Sequence, residues 1–178
     1  YTRLSDPLLC LNQVDAARAG LSGSFAMIRL LDQSVVVDLD ATRRFGLDGY
    51  AVEILAHEVG HHVLAPATAV DQVRLLARIR RALPTLERHA PLVANLYTDL
   101  LINDRLQRQA GLRMAEIYRR LGVVHGQGER AVRSCVWTLY MGIYEHLWKL
   151  TAGSLGGPVA EPGPSHDAWL GARLIRVY

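Results

Sequence analysis

The run Gly49-Tyr-Ala-Val-Glu-Ile-Leu-Ala-His57-Glu58-Val-Gly-His61-His-Val-Leu-Ala65 has no proline, follows Asp48 and is closed by Pro66. These are the marks of a helix with its N-cap at Asp48 and its stop at Pro66. Val52, Ala56, Val59 and Val63 gather on one side of it, and Tyr50, Ile54, His57, His61 and Leu64 on the other. Both sides are mostly apolar, so the helix is expected to be buried. Residues four apart share a helix face, which lets His57 and His61 address one metal ion while Glu58 stands beside a metal-bound water. Two imidazoles in apolar surroundings need polar partners, and a metal ion serves both at once. Such a short motif also arises by chance on solvated helices, so the surrounding residues have to carry the assignment.

A catalytic zinc takes three protein ligands and leaves a fourth position to water, so a third ligand is needed. The strongest candidate lies in the helix beginning near Pro91, where Asn95, Asp99 and Asn103 are spaced i, i+4, i+8 and form one stripe flanked by Leu92, Leu96, Ile102 and Leu106. A carboxylate between two amides on an otherwise apolar face must be satisfied inside the protein. Ligation of the metal by Asp99, with Asn95 and Asn103 hydrogen-bonded behind it, meets that demand. Glu145 and His146, in the apolar run Trp137 to Trp148, are the competing ligands. Tyr140 and Tyr144, four apart in the same run, suit either oxyanion donors or core residues with bonded hydroxyls. His62 is turned by about 100° from His61 on a helix of 3.6 residues per turn, away from the metal face.

The chain has 178 residues, 50% hydrophobic and 21% charged. That is the balance of one soluble domain able to bury a core, read here as a single domain over 1–178. It has no apolar run long enough to span a bilayer and no basic-then-apolar leader, so no membrane association and a cytoplasmic location are expected. The first residue is Tyr1 rather than methionine, as in a piece of a longer protein. Cys10 and Cys135 are far apart and outside any CxxC spacing, which suggests two buried free thiols. The formal charge is only +3. Its one dense basic run, Arg74, Arg78, Arg80 and Arg81, lies on an amphipathic helix carrying Val70, Val73, Leu76 and Ala77. Without interleaved aromatic residues this reads as a solvated face rather than a nucleic-acid site.

Along the chain, residues 7–19 read as a first helix with Pro7 in its first turn, capped by Ser5 or Asp6. Residues 24–31 and 34–40 read as two strands joined at Asp32-Gln33. Further helices are expected at about 68–82, 91–110, 113–121, 129–150 and 166–176, with linkers at 83–84, 122–128 and the Gly/Pro-rich 153–164. The fold class is therefore α+β and predominantly helical, with a short hairpin or small sheet before the His57–His61 helix.

The pairing of His57-Glu58-Val59-Gly60-His61 with Asn95-x-x-x-Asp99-x-x-Ile102-Asn103 resembles the zincin metallopeptidases. More narrowly, it resembles predicted bacterial metallopeptidases encoded near von Willebrand-A domain proteins and MoxR-type ATPases. The resemblance covers about residues 24–110. It implies a zincin-like fold, zinc held by His57, His61 and Asp99, Glu58 as catalytic base, a peptide or protein substrate, and an ATPase or von Willebrand-A domain protein as partner. The rival expectation is a catalytically inactive, zinc-stabilised protein-interaction module. Glu58 counts against the rival, since a purely structural zinc site has no use for that carboxylate.

Overall fold

Strand Ser34–Asp38 is the segment around which the N-terminal part of the chain is built. In the computed structural model, which describes residues 4–21, 24–126, 135–156 and 166–176, all five of its residues are buried. It is the middle strand of a three-stranded sheet ordered β1-β3-β2, in which β1 is Leu8–Cys10, β2 is Ala26–Arg29 and β3 is Ser34–Asp38. Strand β2 pairs antiparallel with β3, with Met27 opposite Val36. Strand β1 pairs parallel with β3, with Leu9 opposite Val37. A central strand covered on both faces keeps a continuous apolar run, which Val35-Val36-Val37 supplies. Cys10, Ala16, Leu21 and Val36 form a core cluster, with Ala19 and Met27 packed against it.

The expected strand pair is present, and the protein is predominantly helical α+β. The expected helix over 7–19 is not: Leu8–Cys10 is a strand, and helix α1 covers only Gln13–Arg18, capped by Asn12, whose side chain accepts from the Asp15 amide. A short helix α2, Leu39–Arg44, follows β3 directly and was not expected. Asp38 ends the strand and caps this helix, its Oδ1 accepting from the Ala41 amide at 2.9 Å.

Helix α3, Ala51–Val63, carries the two histidines. Asp48 does not cap it; a 3-10 turn over Asp48–Tyr50 leads in, and Tyr50 holds the cap position without a side-chain bond. The helix is buried on one side only. Glu53, Ile54, Glu58 and Gly60 are buried, whereas Val52 and Val63 are exposed. Helix α3 packs on β2 and β3.

Next come α4 (Ala69–Ala82), whose cap is Thr68, and α5 (Ala90–Arg108). Helix α6 spans Met114–Gly126, so 122–126, expected as linker, is helical. Helix α7 is Cys135–Leu147 and α8 is His166–Arg176. The expected helical residues 129–134 and most of the Gly/Pro-rich linker lie outside the described residues. Two compact units result, Tyr1–Ile102 and Asn103–Tyr178, the boundary falling within α5. In the second, α7 and α8 meet at small residues: a Cβ built on Gly142 would lie 3.3 Å from the Ala168 Cβ, and one on Gly171 only 2.7 Å from Ile143 Cδ1. Among the described residues, no helix is long and apolar enough to cross a membrane.

Candidate metal centre

His57 and His61 lie one turn apart on α3 with their rings edge to face, centroids 4.8 Å apart. Their Nε2 atoms approach to 3.2 Å. Asp99 of α5 completes the group: its Oδ1 is 3.2 Å from His61 Nε2 and 3.6 Å from His57 Nε2. All three residues belong to the first unit. Two imidazole nitrogens and a carboxylate oxygen in such a triangle require a proton or a cation among them. The group can hold a metal ion, and among the described residues no other cluster of histidine, cysteine and acidic side chains can.

Two of the three ligand candidates, His61 and Asp99, are oriented from behind. His61 Nδ1 is 3.0 Å from the Ala65 carbonyl oxygen, so Nδ1 carries the proton and Nε2 offers its lone pair toward His57 and Asp99. The chain makes this possible by turning at the end of α3, where the amides of Leu64 and Ala65 both donate to the Gly60 carbonyl. On α5, Asn95 Nδ2 donates to Asp99 Oδ2 at 2.9 Å, leaving Oδ1 turned to the imidazoles. Asn95 itself is exposed, so this support stands at the rim rather than in the interior.

The electrostatics reflect the convergence. Burial works against a charge on His61, but the hydrogen bond and charge of Asp99 outweigh it, with help from Glu58 and the Ala65 carbonyl, and its pKa stands above the ordinary imidazole value. Glu58 is 6% exposed. Burial pushes its carboxyl above the ordinary range, His57 and His61 pull it partly back, and Asp99 adds to the rise. The Ile28 amide donates to this carboxylate, which ties Glu58 to strand β2. The side chains of His57, His61 and Asp99 are 13–19% exposed, so water reaches the centre while the neighbouring Glu58 stays buried.

Asn103, Tyr140, Tyr144 and Glu145 are engaged elsewhere. Asn103 is buried, and its amide donates to the hydroxyls of Tyr118 and Tyr144 at 2.9 and 2.8 Å. The Tyr140 hydroxyl joins them, 2.9 Å from that of Tyr144 and 3.1 Å from that of Tyr118. These tyrosines are thus core residues with bonded hydroxyls. Glu145 accepts from the amides of Gly153 and Leu155 at 2.9 and 2.8 Å, one on each oxygen, and so fastens the turn after α7. Sequence reasoning missed Ala65, Ile28 and Gly60. Only Gly60 left a signal, as a glycine inside a helix.

Compared with known proteins, the chain matches no family model, no curated protein and no solved structure.

Proposed function

We propose that the protein is a zinc-dependent metallopeptidase, with zinc held by His57, His61 and Asp99 and Glu58 acting as general base. The observation that carries this reading is the triangle of ligand atoms, with edges of 3.2, 3.2 and 3.6 Å. Bond lengths of about 2.0–2.1 Å in a tetrahedral zinc site put neighbouring ligand atoms about 3.3 Å apart. Octahedral magnesium at about the same bond length would bring them to about 2.9 Å, and it prefers an all-oxygen shell. Two imidazoles and one carboxylate are a zinc donor set that leaves a position open.

When bound there, zinc supplies Lewis acidity, polarising a carbonyl oxygen and easing deprotonation of water. The chain's own residues supply the rest. Glu58 follows His57 directly and lies off the line joining the two histidines, where it can take a proton from the attacking water and return it to the leaving amine. A carboxyl raised by burial is better matched to that exchange near neutral pH than an ordinary one. The Ile28 amide fixes its direction, the Ala65 carbonyl fixes the His61 tautomer, and Asn95 fixes the Asp99 carboxylate.

The test is metal content and peptide cleavage measured on one preparation. Protein purified without added metal should carry one zinc per chain. A chelator should abolish cleavage of peptides from a cell lysate, read by mass spectrometry, and zinc should restore it. Zinc without cleavage across a broad peptide set would leave the interaction module standing instead.

A further inference from the structure

Helix α4 joins the two helices that carry the ligand candidates, and it buries none of its residues completely. Its half-buried side is Leu75, Leu76 and Ile79. The opposite side has a second apolar seam, Val70, Val73 and Ala77, at i, i+3 and i+7. Val70 is 58% and Val73 66% exposed, and Ala77 is exposed as well. By the 3.6-residue turn, Arg80 borders this seam on one side and Arg74 and Arg81 on the other, with Arg78 beyond them. All four arginines are exposed. Arg74 lies 3.4 Å from Asp71, and among the described residues Arg78, Arg80 and Arg81 meet no carboxylate within ion-pair distance.

We infer that this face of α4 is a docking surface for an acidic amphipathic helix of a partner protein. The inference is independent of the metallopeptidase reading. An i, i+3, i+7 apolar spacing is the seam of a paired helix, and charges flanking such a seam select the partner. Positive charges on both borders ask for glutamates or aspartates beside the partner's apolar stripe.

Other occupants fit less well. A second copy laid face to face would set arginines against arginines. The chain's own segments outside the described residues do not offer the charge: 127–134 contains Glu129 against Arg130 and Arg133, and 157–165 has Glu161 as its one charged residue among three prolines. A lipid surface calls for large apolar side chains such as Trp, Phe or Leu on the inserting face, and this face presents two valines and an alanine.

The experiment uses the full chain and a fluorescein-labelled helical peptide of about four heptads, with leucine along the seam and glutamate on both borders. Fluorescence anisotropy should show saturable binding that weakens between about 50 and 500 mM salt, as screening shortens the reach of the charges. Val73→Glu, and separately the pair Arg80→Glu with Arg81→Glu, should each weaken binding on the order of tenfold or more. A lysine-bordered version of the peptide should fail against the wild-type chain and gain affinity for the Arg80→Glu, Arg81→Glu protein. Circular dichroism melts check that these surface variants stay folded, and Val73→Thr serves as a second, milder probe of the seam. Four results overturn the inference: no saturable binding of the acidic peptide; equal binding by wild type and variants; capture of the chain by phosphatidylserine vesicles in place of the peptide; or self-association in light scattering that Val73→Glu abolishes.

Discussion

Gly60 of α3 and Ile102 of α5 approach so closely that a Cβ on Gly60 would lie 2.5 Å from Ile102 Cγ2. Three residues before each stand His57 and Asp99, so the contact sits beside the centre and sets how near the carboxylate comes to the imidazoles. Ile102 is fully buried, and its β-branched side chain has little rotamer freedom on a helix. Gly60→Ala would gain about 1 kcal/mol from helix propensity. Overpacking at such a contact costs about 1–3 kcal/mol, so the clash outweighs the gain. The variant should melt at a lower temperature and hold metal more weakly. Adding Ile102→Ala should restore part of the metal affinity by making room, at a cost of its own in stability. If Gly60→Ala binds zinc as wild type does, the close approach does not position Asp99.

Removal of Asp99, set beside removal of Glu145, tests the third ligand against a competitor on α7. Losses behind a metal ligand already weaken affinity about 10–100-fold, so Asp99→Ala should lose at least that in a zinc competition titration. Asn95→Ala, which removes the 2.9 Å bond to Oδ2, should fall within that range or below it because Asn95 is exposed. Glu145→Ala should leave zinc affinity unchanged. It strands two amides, those of Gly153 and Leu155, and should lower stability by about 1–3 kcal/mol. The opposite pattern, zinc lost from Glu145→Ala and kept by Asp99→Ala, would place the third ligand on α7.

Much of this centre was legible because helix periodicity is local. His57 with His61, and Asn95 with Asp99, share faces by spacing alone, and burial demands a partner for the carboxylate. Asn103 continues the same stripe, but its amide is taken by Tyr118 and Tyr144, residues 15 and 41 positions away that no local pattern links to it. Strand β1 was missed for a similar reason. Three residues after Pro7 have no period to show, and their pairing with β3 lies 28 positions off, as with Leu8 and Val36. On α4, periodicity shows that Val70, Val73 and Ala77 share a face. It shows equally that Leu75, Leu76 and Ile79 share another, but not which of the two apolar faces is turned inward. The helix propensity lost at Gly60 was a readable signal, since a glycine in a helix interior usually marks a close approach.

The two cysteines should react very differently. Sequence favoured two buried thiols, but only Cys10 is buried, and Cys135 is exposed at the start of α7. Burial, with the negative charges of Asp15 and Asp38, raises the Cys10 pKa, so less of it is thiolate at any given pH. In the native protein near pH 8, a maleimide should label Cys135 rapidly and Cys10 slowly, and denaturant should bring both to the same rate. Peptide mapping by mass spectrometry distinguishes the sites. Equal native rates would mean that the β1 region opens readily.

Glu58→Gln tests catalysis against the rival reading of a catalytically inactive, zinc-stabilised interaction module. The carboxylate is not one of the three converging atoms, so its amide analogue should leave zinc content and thermal stability close to wild type. Glutamine keeps the size of the side chain, and its carbonyl oxygen can still accept the Ile28 amide. It cannot take a proton from water. Positioned acid–base groups contribute about 10²–10⁴-fold, so kcat on a peptide that wild type cleaves should fall by that factor while KM moves little. Cleavage that survives Glu58→Gln undiminished, at full zinc occupancy, would rule out this residue as the base.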